Sequence, residues 1–349
     1  MKKYNKMTKL LYGVLIITLL FSGSFTGLCA DKVITWEVPS MASAGDPTYQ
    51  GLLRYAELVK EASGGRLVIK PFASDAIVPG GTEFDAVMNG EVPAGHITPA
   101  WSINYIPAAY CFGGIPGGLT ATQYALWLAH EGKELAREIY EPLGVVLVDD
   151  ITVHPAEVWA HSKRPIKSLD DLKGLKIRLG DASVSTILGE MGASPVFFPA
   201  GEVYESMQRG VIDAAEYITP SVNWDMGFHE VANYMYISPS RCPMDNQSLF
   251  VNKKVWDDLP SDLKVILESV AKKVAQDFFA EMLVRDVKAL EDYKAYGTVV
   301  ERVPQDIEDM LAVKAAEYFA NETEKDPVYK KIYDSAMNYK KICEELGIQ

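Results

Sequence analysis

KSLDDLKGLKIRLG (residues 167–180) and MGASPVFFPAGEVYESMQRGVIDAAEY (residues 191–217) alternate short apolar or β-branched runs with amphipathic stretches. Lys176–Leu179, Ser194–Phe198 and Ala214–Ile218 read as strands, and about 184–191 and 203–209 read as helices between them. Outward on one side lies a strand at Val158–Ala160, in the same second set of elements, which begins near Ile151; on the other lies a helix at Ser221–Val231. The N-terminal part repeats the theme, with strands at Val33–Val38, Leu67–Pro71 and Ala94–Thr98 and helices at 49–62 and about 82–88. Such alternation predicts an α/β protein.

Two sets of elements predict two lobes, and Gln247–Asn252 carries the chain back from the second to the first. From Ser261 to Tyr296 the apolar residues keep a helical period, long enough for one helix to span both lobes. The expected division is 31–150 with about 248–300 for lobe I, 151–247 for lobe II, and 301–349 for a helical tail. Tyr329, Ile332, Tyr333, Ala336, Met337 and Tyr339 give the tail's last helix a broad apolar face, which packs either on its own lobe or on a partner chain.

The first thirty residues read as an export leader. Lys2, Lys3, Lys6 and Lys9 precede an apolar run from Leu10 to Phe21, and cleavage is expected after Ala30. Cys29 is the rival lipid-acceptor reading, with bulky Leu28 before it. Losing four lysines and no acid takes the formal charge from -13 to -17, which disfavours nucleic acid and makes capture of an anion depend on a few placed cations. Cys111, Cys242 and Cys343 form no C-x-x-C pair, and their odd number leaves at least one unpaired within the chain. No G-x-S-x-G, H-E-x-x-H, phosphate loop or dinucleotide fingerprint occurs, so no catalytic residue is assigned and the chain does not read as an enzyme.

The stretch 167–217 resembles, block for block, the core of the TRAP transporter solute-receptor family, the DctP-type receptors. D-L-K-G-L-K-I-R leads into a strand there, G-A-x-P precedes another, and E-x-Y-x-x-M-Q-x-G-x-I-D-A forms the next helix and turn. SGGRLVIK, PFASDAIVPGG, FDAVMNGEV and the long late helix extend the likeness over nearly the whole mature chain. The resemblance implies a two-lobed, periplasmic-binding-protein-like fold, a periplasmic location, a small organic acid as ligand and TRAP permease subunits as partners. It also points to Arg178, whose planar fork suits both oxygens of a ligand carboxylate.

A subgroup that binds 2-oxo or 2-hydroxy acids carries D-A-x-E-[WY], then Pro and Asn, matched here by Glu216, Tyr217, Pro220 and Asn223. Some members use the acid for a metal, so calcium or sodium beside the ligand is expected on Glu216 and Glu157. Cys242-Pro243 departs from that pattern, where a Glu often precedes the Pro; the other reading of Glu216 is a buried acid paired with Arg178 or Arg241. Trp36, Trp101, Phe112, Tyr217 and Trp224 are the aromatic candidates for the cleft, each with plain core as its alternative. The implied cycle is capture on Arg178 followed by hinge closure. A sensor for a membrane signalling protein and a secreted enzyme acting on an organic acid are the rival classes.

Overall fold

The computed structural model describes residues 33–348. The expected leader over 1–30, its cleavage after Ala30 and Cys29 lie outside the described residues.

Strand β1 (Ile34–Pro39) leads into helix α1 (Pro47–Ala62) and returns as β2 (Leu67–Phe72), its partner in a two-stranded sheet. Asp46 starts α1 by accepting from Thr48 N at 2.8 Å, with Pro47 in the first turn. Helix α2 (Glu83–Asn89) and β3 (Ala94–Ile97) follow, and a bridge between Ser40 and His96 ties the pair to β3. Helices α3 (Ala121–Trp127) and α4 (Lys133–Tyr140) come next, joined by a π-helical turn at Leu128–Gly132. Beyond them β4 (Val145–His154) is buried along nearly its whole length.

The second sheet takes β5 (Val158–Ser162), β6 (Lys176–Arg178), β7 (Ser194–Val196), β8 (Ala214–Ala215) and β9 (Tyr234–Ile237). Helices α5 (Ala182–Glu190) and α6 (Ala200–Gln208) connect its parallel members. The helix expected over Ser221–Val231 is two, α7 (Pro220–Asp225) and α8 (Phe228–Val231), because Gly227 stands between them at φ 79°, a value no helical residue adopts.

Strand β10 (Asp245–Asn252) re-enters the first lobe between β3 and β4, antiparallel to both. After α9 (Lys253–Asp257), α10 (Ser261–Tyr296) runs over β4 and α1 at one end and over α7 at the other, so it spans both lobes. Strand β11 (Val299–Arg302) then completes the six-stranded order β11-β9-β5-β8-β6-β7. The chain thus passes between sheets at 155–157, at 238–244 and at the end of α10.

The tail lies on both lobes. Helix α11 (Gln305–Lys325) packs on α5, and its Asp306 Oδ2 accepts from Leu169 N at 2.7 Å. Helix α12 (Pro327–Glu345) packs on the turn at Pro107–Phe112 and on α3, where Trp127 Nε1 donates to Ser335 Oγ at 2.8 Å. Tyr329, Ile332 and Ala336 of the expected face of α12 are buried in its own chain, as is Cys343, and Tyr333, Met337 and Tyr339 are half-buried. Cys111, Cys242 and Cys343 are all free and buried. Among the described residues no helix is long and apolar enough to cross a membrane.

Candidate ligand site

Arg178 ends β6, the last residue of the run K-I-R, and only 6% of it is exposed. Its Nε donates to Phe198 O at 3.1 Å, and its Nη1 donates to Glu216 O at 3.1 Å and to Glu216 Oε1 at 2.9 Å. Among the described residues Nη2 makes no hydrogen bond. The guanidinium carbon is 5.9 Å from the ring centroid of Phe197 and 5.9 Å from that of Tyr217. A buried cation is therefore fixed on two nitrogens and presents the third beside two aromatic rings.

Gly180 holds this geometry from the turn beyond β6. A Cβ there would lie 3.2 Å from both Nη1 and Nη2, and its N–H donates to Glu216 Oε1 at 2.5 Å. Glu216 follows β8, and its second oxygen faces Arg241 Nη1 at 3.2 Å. Arg241 Nη2 in turn donates to Glu157 Oε2 at 2.6 Å and to Val158 O at 2.9 Å. The result is a chain Arg178–Glu216–Arg241–Glu157 across the two crossings at 155–157 and 238–244. Glu216 is thus a buried acid shared by Arg178 and Arg241.

More acids than cations surround that chain. Asp245 Oδ2 accepts from Gln247 Nε2 at 2.8 Å, and a line of hydrogen bonds continues through Thr152 and His96 to Ser40. Burial pushes the Asp245 carboxyl up to about 6 against the Gln247 bond, and Asp46 and Glu216 add to the rise. Burial also raises Glu157, opposed by Arg241 and reinforced by Glu216 and Asp245. Arg241 is held more firmly protonated, since Glu216 and Glu157 outweigh the burial that opposes its charge. Burial lifts the Tyr217 phenol to about 12 and drops His96 to about 3, so both are neutral near pH 7. Such an arrangement can receive an anion at Arg178 and an additional cation near the acids.

The structure brings Arg178, Glu216, Tyr217 and Glu157 together. Asn223 is wholly buried and braces the turn after Glu216: its Oδ1 accepts from Ile218 N at 3.1 Å, and its amide faces His161 Nε2 at 3.2 Å. Pro220 opens α7. Trp224 stacks on His229 with ring centroids 3.8 Å apart and edges onto Tyr293 of α10, which makes it a packing residue between α7 and α10. Phe112 is buried among Trp127 and Tyr140, and Trp36 is 3% exposed on β1. Trp101 leans half-buried on the first-lobe core. Sequence reasoning did not select Arg241, Asp245, Gly180 or Phe197 as ligand-site residues. Phe197 had a signal, as the first of two adjacent phenylalanines at a strand end, and it is 68% exposed beside Arg178.

Residues 39–325 match the family described as bacterial extracellular solute-binding protein, family 7. The monocarboxylate 2-oxoacid-binding periplasmic protein of Nostoc sp. is 28% identical over 310 residues, 88% of this chain and 84% of the relative. A TRAP periplasmic solute-binding protein from Pseudoalteromonas atlantica, solved with bound sodium and pyruvate, superposes with a TM-score of 0.83 at 27% identity, covering 90% of this chain and 96% of that one. A second, from Colwellia psychrerythraea with bound calcium and pyruvate, gives 0.84 at 27% identity over the same shares. These are binding proteins and not enzymes, and with the match running over most of its length, this chain belongs to family 7 of the bacterial extracellular solute-binding proteins.

Proposed function

We propose that this solute receptor binds a small monocarboxylate, foremost a 2-oxo acid, on Arg178 and hands it to TRAP-type permease subunits outside the cytoplasm. The observation that carries the reading is the buried Arg178, pinned through Nε and Nη1 with Nη2 open beside Phe197 and Tyr217. A carboxylate oxygen accepts from Nη2; engaging Nη1 as well requires Glu216 to give up its Oε1 contact, and Arg241 already faces its other oxygen. Closure then removes water and strengthens the pair in a lower dielectric. The moving bodies are taken as 31–150 with about 248–300 against 151–247, and 301–349 rides on both.

A hard cation fits beside the ligand. Glu157, Asp245, Glu216 and Asp46 outnumber Arg178 and Arg241, and two of those carboxyls are raised by burial and by mutual repulsion. Oxygen donors of this kind suit sodium or calcium. Among the described residues no three acid, His or Cys side chains converge as a ready metal site, so Glu157 and Glu216 supply only part of the shell. When bound, the cation offsets the excess negative charge and lets an anion enter. The Nostoc relative's name and the pyruvate of the two solved structures support the ligand class, and their sodium and calcium support the cation.

The test is calorimetry with pyruvate and longer 2-oxo acids, with and without calcium or sodium, on the mature chain and on Arg178→Ala. Binding to the parent and a loss of about tenfold or more in the variant are expected, the scale of a lost charge-assisted hydrogen bond. Equal affinity in both proteins removes the reading.

A further inference from the structure

A hollow of about 450 Å³ lies in the first lobe and shares no lining residue with the Arg178 cluster. That volume is in the range of small-molecule pockets. One wall is the outer face of α3 and the π-turn, with Ala125 and Leu128, and the other is α10, with Ala275 and Phe279. The floor is β4, at Asp149 and Asp150.

Two independent features mark the hollow as built. First, the helical run from Ala121 to Tyr140 is interrupted by the π-turn at the hollow's edge, and such turns persist mostly where a site needs them. Lys133 is the residue that follows the turn. Second, Lys133 Nζ meets Asp149 Oδ2 at 2.6 Å on the floor, with the Asp149 side chain only 7% exposed. Asp150 is satisfied from behind by Asn246 Nδ2 at 2.8 Å and Ser248 Oγ at 2.5 Å.

The charges then select the occupant. Asp149 is paired with Lys133, and Asp150 Oδ1 is taken by Asn246 and Ser248. Lys272 of α10 stands on the lining, close enough to act on Asp149, and forms no ion pair among the described residues. Lys272 is thus the lining's one cation without a carboxylate partner among the described residues, and it stands beside apolar walls. We infer that this hollow is a second ligand site, taking a small amphipathic monoanion whose apolar body lies between α3 and α10 and whose anionic head meets Lys272 and Lys133.

The probe is 8-anilinonaphthalene-1-sulfonate, an amphipathic monoanion that fluoresces when shielded from water, titrated into the mature chain. Saturable binding of one probe per chain is expected, retained in Arg178→Ala, which keeps the outcome separate from the fate of the cleft reading. Ala125→Trp places an indole in the hollow from an exposed helix position and should weaken the probe about tenfold or more; Lys272→Glu should weaken it about fivefold, and Lys272→Arg should not. Millimolar benzoate should displace the probe, and butylamine should not. A probe bound equally by Ala125→Trp and Lys272→Glu, or lost with Arg178→Ala, or displaced by the amine, overturns the inference.

Discussion

At the scale of single residues, the site depends on how tightly Arg178 is held. Gly180 packs against the guanidinium where a methyl would sit 3.2 Å from two of its nitrogens, tighter than ordinary contact. Gly180→Ala should therefore push the fork aside and weaken ligand binding about three- to tenfold with little change in Tm, read by calorimetry beside a melting curve. Away from that site, burial and the neighbouring Asp149 push the Asp150 carboxyl up to about 7 in the fold, against about 3.9 in an unfolded chain. The native state then holds the proton more tightly, so this group's contribution is fully present below about pH 4 and is lost as pH rises through 7. Asp150→Asn, which keeps an acceptor for Ser248 and Asn246, should gain about 2–4 kcal/mol relative to the parent between pH 4 and pH 8 in urea titrations. A pH-independent difference would show that the carboxyl titrates normally.

At the scale of elements, the amphipathic helices were legible because one face is apolar and the other wet; α10 runs from Ser261 to Tyr296, as its period requires. Strand β4 was not legible, since it is buried on both faces and two aspartates break its apolar run, which leaves no alternation to read. Strand β8 stops at Ala215 where a strand to Ile218 was expected, because Glu216 turns to the arginines and Asn223 holds the following backbone. Arg178, Glu216 and Tyr217 were singled out by the resemblance of their motifs to a family, which apolar periodicity does not supply. Arg241 was foreseen only as a partner of Glu216 and Asp245 not at all, because they sit on and just after a crossing with no periodic pattern. Phe112 and Trp36 show the converse, since an apolar residue near a strand reads the same whether it faces a cleft or a core. The crossing at 238–244 is itself confined: a Cβ on Gly114 would fall 1.7 Å from Met244 O and 2.8 Å from Cys242 Sγ. Gly114→Ala should cost about 1–3 kcal/mol or more and shift Arg241, so lower Tm should come with weaker ligand binding.

At the scale of the whole molecule, two lobes are joined by three crossings and overlaid by α10 and the tail, and the proposed capture on Arg178 requires them to close. Small-angle scattering should show a smaller radius of gyration when the carboxylate is added, and no change in Arg178→Ala. A ligand that binds without contraction would separate capture from closure. The order of strands in the three-stranded sheet has its own consequence. Strand β10 is the middle member, flanked by β3 and β4, yet it comes about ninety residues after β4 in the sequence. A chain that emerges N-terminus first therefore makes both outer strands long before the one that joins them, and β3 and β4 wait with unsatisfied edges while the second sheet's β5 to β9 are synthesised. Assembly of the N-terminal half is thus a late event, timed by the arrival of residue 252 rather than by its own synthesis.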